Sequence, residues 1–548
     1  MYALLFELDS IQDFLFASGR LRDVSGASEL LDRLTNAKAE DNLLDAVCRA
    51  LDLEVVEKTP QGEEVAFSRR AGGAFYAFSE SREALARLRD LWTLALQQAV
   101  PYLAYSLGLG GGDTAAQAFE CARAALRADT SRLRPALPAA APVAARSRRT
   151  GLPAVAFGKA KDGAMDAATV RRKEFADLAH SAFLDRFAPE GSGLRWDDWP
   201  RDLEPDTDAD PKRAFPFPGE SRILALVHAD GNGLGLVLQA LNAAAKVRPE
   251  AFVSLYSDFS ALVERITIRA ARTATQQVLL PAREPGRCLP ARPILLGGDD
   301  ITLLVRADLA MDYVRTFATA FEEASASELA RLKDRHGLGE ALPARLTLGI
   351  GLVYLRASQP FRMAIRLAES LTGVAKQAAK RHDDTDPPSA LAFHRVTSSL
   401  IEDYDALVEQ TLTHRHGDTR YVDTLGAYYL GEASPRPRLD DLLALANLLG
   451  APDMARGPTR QLLTLMGHSH GEAVARYRRW RQVMRDKHAE KLERFDTLLH
   501  DLAEVGSGDE LPYNRDGKSP LGDALALLGA GHVRGKDQPD EAEKEHAA

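Results

Sequence analysis

Apolar residues along this chain fall into short runs of strand length that alternate with longer segments of helical period. Residues 2–9, 223–230 and 345–354 are strand-like runs, whereas segment 360–380 repeats apolar side chains every three to four positions. Another strand-like run, 293–305, is interrupted in its middle by glycines and aspartates. This alternation predicts an α+β fold in which helices pack on antiparallel or mixed sheets.

The interruption is Gly297-Gly298-Asp299-Asp300, two glycines and two adjacent carboxylates at a predicted β-hairpin turn. Glycine has no side chain, so a triphosphate can come close to the backbone there. Carboxylates hold the divalent cations that such phosphates need. The motif is therefore typical of the palm site of a nucleotide-polymerising enzyme. The alternative is an ordinary hairpin whose acidic tip is solvated.

A further carboxylate ends the strand at 223–230. Asp230 precedes a glycine-punctuated turn that includes Gly235, and a helical segment follows. If this strand lies beside the hairpin, Asp230 meets Asp299 and Asp300, and three carboxylates at one point need cations to neutralise them. A metal site is the expected outcome. The alternative is that Asp230 caps the helix that follows it.

The segment 360–380 carries Lys376 and Lys380, which lie four positions apart and so share one face of the predicted helix. A lysine near a triphosphate site neutralises phosphate charge as a point cation. The alternative is a solvated helix face. The preceding strand contains Leu348-Gly349-Ile350-Gly351.

The same order of elements recurs in reduced form near the N-terminus. A strand ends at Asp9, a double-glycine hairpin without carboxylates lies at 70–78, and a strand with alternating glycines lies at 106–110. The spacing from Asp9 to Gly73 is 64 positions, and from Asp230 to the equivalent hairpin glycine it is 68. A repeat of this length indicates a duplicated domain. The first copy lacks the hairpin carboxylates, so we expect it to be structural or to orient substrate.

With these motifs in this order, the chain resembles the large, polymerase-like subunit of type III CRISPR effector complexes, which has two palm domains and a GGDD hairpin in the second. Segments 11–15, 18–23 and 26–31 resemble that family's first-palm signature, and the resemblance covers about residues 1–450. It implies two ferredoxin-like palm domains. It also implies that cyclic oligoadenylate second messengers are made from ATP when the complex binds target RNA. The implied partners are other type III subunits and, through the complex, guide RNA and target RNA.

The resemblance assigns roles to individual residues. Asp230, Asp299 and Asp300 would hold two Mg²⁺ or Mn²⁺ ions, one activating a ribose 3′-hydroxyl and one bracing the pyrophosphate leaving group. The remaining implied positions would contact the nucleotide: Gly235, Gly297, Gly298, Lys376 and Ser28.

Three features depart from the family pattern. Many relatives have a second acid where this chain has Asn232, which leaves one charge fewer near the metals. The N-terminal HD nuclease of the family is expected to be absent because the first palm strand begins at Tyr2, and His382-Asp383 lies in a charged loop. Zinc is not expected, because the cysteines are scattered and form no C-x-x-C half-site: Cys48, Cys121 and Cys288.

Composition sets broader limits. The chain has 548 residues, of which 45% are hydrophobic and 27% charged, as in ordinary globular proteins. A net charge of −9 argues against a surface that binds nucleic acid throughout. One basic segment, 476–481, mixes arginines with Tyr477 and Trp480, a combination that can meet phosphates and stacked bases; the favoured alternative is a solvated helix face with both aromatics packed inward. No apolar run approaches the ~20 residues of a membrane span, and no signal peptide is evident, so a cytoplasmic protein is predicted.

The motifs divide the chain into five predicted parts: a degenerate first palm at 1–130, a linker with a small helical insert at 131–220, a second palm with the active site at 221–396, a helical C-terminal domain at 397–533 and a disordered tail at 534–548. The leading hypothesis is an RNA-activated adenylate oligomerase. The alternatives are a GGDEF-type nucleotidyl cyclase that makes another cyclic or conjugated nucleotide, and a non-catalytic scaffold.

Overall fold

The computed structural model describes most of the chain, and every structural statement below concerns the residues in the following ranges: 1–18, 20–37, 42–71, 73–131, 143–158, 162–176, 182–203, 213–397, 401–431, 434–451, 453–454 and 456–531. Gly72 and the predicted tail at 534–548 lie outside these residues.

The strands in chain order are β1 (Tyr2–Leu8), β2 (Val55–Val56), β3 (Val65–Ala71), β4 (Ala74–Ser79), β5 (Tyr105–Gly111), β6 (Ala156–Phe157), β7 (Ala164–Met165), β8 (Ile223–Gly231), β9 (Ala291–Gly297), β10 (Asp300–Arg306), β11 (Leu348–Arg356), β12 (Ala390–Arg395), β13 (Thr413–His416), β14 (Thr419–Val422) and β15 (Ala427–Tyr429).

The α-helices are α1 (Ile11–Leu15), α2 (Leu21–Thr35), α3 (Leu43–Ala50), α4 (Arg82–Ala99), α5 (Ala115–Thr130), α6 (Ala167–Ala176), α7 (Ala182–Asp185), α8 (Leu234–Val247), α9 (Phe252–Ala274), α10 (Ala310–His336), α11 (Phe361–His382), α12 (Tyr404–Leu407), α13 (Leu439–Gly450), α14 (Arg456–Met466), α15 (His470–Lys487), α16 (Ala489–Ala503) and α17 (Leu521–Gly529). Within the described ranges, no helix is both long and apolar enough to cross a lipid bilayer.

Two sheets form the centre of the molecule. The first has the order β2-β3-β4-β1-β5, and the second has the order β15-β12-β11-β8-β10-β9. In the first sheet, β1 lies between β5 and the β3–β4 hairpin, and in the second sheet, β8 lies between β11 and the β9–β10 hairpin. Both β1 and β8 run antiparallel to their two neighbours. This is the ferredoxin-like arrangement, so the predicted α+β class with two palm-type sheets is confirmed.

The alternating glycines of the last palm strands allow helices to pack directly on the sheets. A Cβ atom on Gly108 of β5 would lie 2.0 Å from the backbone oxygen of Ala122 in α5. In the second palm, a Cβ atom on Gly351 of β11 would lie 2.0 Å from the backbone oxygen of Ala368 in α11. Since backbone on a packed helix cannot move aside easily, both positions need glycine.

Two hydrophobic cores each extend through both palms. Side chains alternate across β1, so Ala3 and Leu5 join one core whereas Leu4 and Phe6 join the other. The first core also contains Phe252 of α9, whose ring centroid lies 5.8 Å from that of Phe78 in β4. The second core also contains α11 and the opposite face of β8. The palms are therefore packed against each other on both sides of their sheets.

The region predicted to be helical beyond residue 396 differs in one respect. Besides α13 to α17 it contains the hairpin β13–β14, and β15 pairs with β12 as the edge strand of the second palm sheet. Tyr477 and Trp480 in α15 are 4% and 6% exposed, with ring centroids 5.8 Å apart. Inward packing of these aromatics is confirmed, so they are not available to stack on bases.

Candidate active site

The Gly-Gly-Asp-Asp motif forms the turn between β9 and β10, as predicted. Gly297 pairs with Asp300 across the hairpin, and the two residues between them make the turn. Gly298 has φ of +77°, a backbone conformation that favours glycine, and no atom lies within 4 Å of the place where its Cβ would be. The turn is thus open to a ligand beside Gly298, with Asp299 at its tip.

Strand β8 brings Asp230 to this hairpin. Ala229 pairs with Ile301 of β10, so the next residue, Asp230, reaches the beginning of that strand. On its other side Asp230 pairs with Gly349 of β11. The structure therefore brings Asp230, Asp299 and Asp300 together at one edge of the second palm sheet.

Lys376 of α11 reaches the same edge across β11. Its Nζ donates to Asp230 Oδ2 at 2.5 Å. The lysine stem passes over Gly349, where a Cβ atom would lie only 2.3 Å from Lys376 Cγ. The first glycine of the motif Leu348-Gly349-Ile350-Gly351 is thus explained, because the lysine side chain passes over it. In this structure the Lys376 ammonium binds a carboxylate, and Lys380 pairs instead with Asp384 at the surface.

The carboxylates share protons and charge unequally. Asp230 and Asp299 are hydrogen-bonded to each other; burial opposes ionisation of Asp230, but this bond and the Lys376 charge hold its pKa below the ordinary value. Burial, with the hydrogen bond and charge of Asp230, raises the pKa of Asp299 to about 7. Burial and the charges of Asp230 and Glu369 raise the pKa of Asp300 well above the ordinary value. The two carboxyl groups of the Asp230–Asp299 pair therefore do not ionise together until the pH approaches about 7.

The buried oxygen of Asp300 has no positively charged partner among the described residues. Its Oδ1 atom is buried without a hydrogen-bond partner, 3.3 Å from Nδ1 of His228. That nitrogen also lies 3.0 Å from Thr302 Oγ1. Since burial lowers the pKa of His228, the imidazole is neutral at physiological pH and does not neutralise Asp300.

The donor set suits a hard divalent cation. Its members are carboxylate oxygens, one of them a buried oxygen without a partner, and the raised pKa values show that the negative charges crowd each other. Across the described residues, however, no group of three or more acidic, histidine or cysteine side chains stands in a metal-binding arrangement. The chemistry of the donors fits Mg²⁺ or Mn²⁺, and Asp230, Asp299 and Asp300 as joint metal ligands stay a prediction.

The hydrogen bonds of Asn232 go to residues other than the three carboxylates. It is buried, its backbone N–H donates to Thr347 O at 2.8 Å, and its Nδ2 donates to Thr347 Oγ1 at 3.1 Å and Pro388 O at 3.4 Å. The side chain therefore joins the start of β11 to the segment before β12. Its contacts explain an amide at this position without reference to metals.

A cavity of about 840 Å³ lies between the two palms beside the hairpin. This volume is within the ~300–1,000 Å³ range of small-molecule sites. From the second palm, the lining includes Gly235, Gly298 and Asp299. From the first palm, it includes residues that the sequence did not single out: Leu5, Glu7, Ser68, Arg69, Tyr76, Phe119, Arg123, Leu126, Arg127, Thr130 and Ser131.

Ser28 occupies a different place. It is buried in α2, and its hydroxyl donates to the backbone oxygen of Ile294 in β9. It lines a smaller cavity, together with Gly298, on another side of the hairpin. The observed role of Ser28 is to join the first palm to the hairpin strand, and a nucleotide contact stays a prediction.

The first palm has its own counterpart of Asp230, but not at the predicted residue. Glu7 of β1 pairs with Ala74, the first residue of β4, just as Asp230 reaches the first residue of β10. Asp9 lies beyond the strand end and accepts a hydrogen bond from Ser106 Oγ at 3.0 Å. The equivalence of Asp9 with Asp230 inferred from spacing is therefore wrong by two positions, and Glu7 is the residue that faces the cavity.

Comparison with known proteins places the second palm in a family. Residues 223–384 match the family model of the Cas10/Cmr2 second palm domain. No curated protein matches the chain.

Solved structures similar to this chain include the Csm1–Csm4 cassette in complex with AMPPNP (13% identity, TM-score 0.43, covering 96% of this chain and 69% of that one). They also include the same cassette in complex with cA4 (12%, 0.44, 97% and 70%) and Csm1 in T. onnurineus (13%, 0.39, 97% and 70%). The family match over residues 223–384 confirms, for this part of the chain, the resemblance to the large polymerase-like subunit of type III CRISPR complexes.

Proposed function

We propose that this chain is a nucleotidyltransferase that binds ATP between its palms and joins adenylates into cyclic oligoadenylates, as part of a type III CRISPR effector complex in antiviral defence. The observation that carries the proposal is the carboxylate pair Asp230–Asp299, with Asp300 beside it, at the edge of a nucleotide-sized cavity. Membership of residues 223–384 in the Cas10/Cmr2 second palm family supports the same chemistry.

In the proposed reaction, a ribose 3′-oxygen attacks the α-phosphorus of a second ATP, a phosphodiester bond forms, and pyrophosphate leaves with the broken bond's electrons. Repetition with closure of the ends gives a ring. Bound Mg²⁺ or Mn²⁺ would supply charge neutralisation for the attacking and leaving oxygens. Asp230, Asp299 and Asp300 would hold these ions. The open turn at Gly298 leaves space for phosphates beside the backbone.

The residues around the carboxylates fix their positions. Lys376 holds Asp230 by an ion pair at 2.5 Å, and Asn232 anchors the turn that follows β8. With the cations bound, these carboxyl groups would be ionised ligands, and the proton that the 3′-hydroxyl loses would pass to solvent water. We propose that other type III subunits, guide RNA and target RNA control access to this state.

The test supplies ATP, or each other nucleoside triphosphate singly, with Mg²⁺ or Mn²⁺, to the full chain with and without partner subunits and target RNA. Mass spectrometry identifies the products. We expect adenylate oligomers that disappear in an Asp299→Ala/Asp300→Ala double variant. A matched control is Asp312→Ala, which removes an exposed carboxylate on α10. Absence of product under every condition would favour the scaffold alternative, and a product from GTP alone would favour the cyclase.

A further inference from the structure

We propose that the first palm, which lacks hairpin carboxylates, supplies the cations that bind the polyphosphate of the nucleotide in the cavity between the palms. The residues are Arg69 of β3 and Arg123 and Arg127 of α5. This inference rests on the proposed function and assigns the degenerate palm a direct part in substrate binding.

The cations around the cavity all lie on one palm. Of the described residues that line it, every lysine or arginine belongs to the first palm, which also contributes Glu7, the acceptor of the Tyr76 hydroxyl; the second palm contributes the carboxyl group of Asp299 and no cation. Lys376, the cation that the sequence predicted for this role, does not line the cavity and is bound to Asp230. A polyphosphate in the cavity therefore meets its positive side chains on the first palm.

Arg69 is held in place toward the hairpin. Its Nη1 donates to the Tyr76 hydroxyl at 3.2 Å, and its guanidinium carbon lies 5.4 Å from the centroid of the Tyr76 ring. The Tyr76 hydroxyl donates in turn to Glu7. Burial lowers the pKa of Arg69, but Tyr76, Glu7 and also Asp299 raise it, and the net shift is upward. Arg69 thus lies within electrostatic reach of Asp299 across the cavity.

Arg123 and Arg127 lie on successive turns of α5. Residues four apart share one helix face, so the two like charges repel each other. Both side chains are exposed, and neither forms an ion pair with any residue that the structure describes. An anion bound between them would remove this repulsion. Arginine suits such a role because its planar guanidinium binds phosphate oxygens in pairs.

The rest of the lining suits a nucleoside. The ring centroid of Phe119 lies 5.7 Å from that of Tyr76 and 5.8 Å from that of Tyr256, so an aromatic wall connects the two palms. Gln239 of α8 adds an amide group that can donate to and accept from a base, and Asn242, whose Nδ2 donates to Glu120 at 3.2 Å, adds a buried amide oxygen without a partner among the described residues. Aromatic faces and a few polar groups, next to a cationic region, match the needs of a nucleoside polyphosphate.

The test measures equilibrium binding of three probes to the full chain in Mg²⁺: α,β-methylene-ATP, whose bridging carbon blocks nucleotidyl transfer, AMP and adenosine. We expect Arg69→Gln, and separately Arg123→Gln/Arg127→Gln, to weaken binding of the ATP analogue by about tenfold or more, because each removes charge-assisted hydrogen bonds. AMP binding should weaken less, and adenosine binding should not change. The matched control is Arg82→Gln, which removes an exposed arginine of α4 outside the lining.

Equal weakening of all three probes would show a structural role for these arginines and would overturn the inference, as would unchanged binding of the analogue. The outcomes separate this inference from the proposed function. If adenylate products form but the arginine substitutions leave binding of the ATP analogue unchanged, this inference is overturned and the proposed function stands. If the substitutions weaken binding of the ATP analogue more than that of AMP and adenosine, but no nucleotide gives a product, the polyphosphate site is supported and the proposed reaction is overturned.

Discussion

Gly349 controls whether Lys376 can reach Asp230, and Gly349→Ala tests this directly. An added Cβ atom would lie 2.3 Å from Lys376 Cγ, far inside the ~3.5–4.0 Å of a normal carbon–carbon contact. The Cγ atom is near the root of the side chain, so the whole lysine has to leave its path over β11. The ion pair with Asp230 at 2.5 Å would then be lost.

The size of the effect follows from two contributions. Overpacking of this kind costs about 1–3 kcal/mol of unfolding free energy. The ion pair adds ~0–1 kcal/mol at most, because its side chains are 31% and 37% exposed. We therefore expect Gly349→Ala to destabilise the chain mainly through the clash. We also expect the formation of adenylate oligomers to fall, because Asp230 loses the ion pair with Lys376 that holds it in position.

A double-mutant cycle with Lys376→Ala, followed by denaturant unfolding, separates the two contributions. Lys376→Ala removes the Cγ atom, so Gly349→Ala should cost about 1–3 kcal/mol less in that background than in the wild type. Gly373→Ala, also in α11 but with no atom within 4 Å of the added Cβ, should stabilise by up to ~1 kcal/mol. Costs at residues 349 and 376 that add to within ~0.5 kcal/mol would refute the reasoning.

Other contacts give further predictions. Burial raises the pKa of Asp523, which accepts from the Tyr428 hydroxyl, to about 7; its stabilising contribution is present below its unfolded pKa of about 4 and is lost as pH rises through 7. Asp523→Asn should therefore flatten the fall in unfolding free energy between pH 4 and 7.5, and a curve parallel to wild type would contradict this. Asn232→Asp replaces the amide that donates to Thr347, so we expect about 1–3 kcal/mol of destabilisation and no increase in product, whereas increased product would show a role for a second acid. Ser28→Ala should cost ~1 kcal/mol without changing binding of the ATP analogue, and weaker binding would instead support a nucleotide contact.

Much of the candidate site could be predicted because it lies at strand ends. Asp230 ends an apolar strand, and Asp299 and Asp300 follow the hairpin glycines, so any sheet that pairs these strands brings the three residues together. The error at Asp9 has a physical reason. Residues two apart on a strand share a face, so the hydrophobic pattern fits both Glu7 and Asp9, and only the pairing with Ala74 distinguishes them.

The arginines that line the cavity could not be predicted in the same way. Arg69 faces the cavity because β3 pairs with β4 and because Tyr76 and Glu7 hold its guanidinium, and both depend on register rather than on any local motif. The edge strand β15 was missed since three residues carry no measurable alternation of apolar and polar positions. Asn232 was expected near the metals from its place in the motif, but its hydrogen bonds direct it toward Thr347.

The two hydrophobic cores that extend through both palms limit how ligands enter and leave. A hinge motion that separated the palms would expose apolar side chains on both faces of both sheets at once, including Phe78 and Phe252. On the proposed function, nucleotides would therefore enter and leave without separation of the palms, and the exposed arginines Arg123 and Arg127 lie among the residues that line the cavity. These residues would act as a filter that favours entry of polyanions and slows the escape of charged intermediates before a ring has closed.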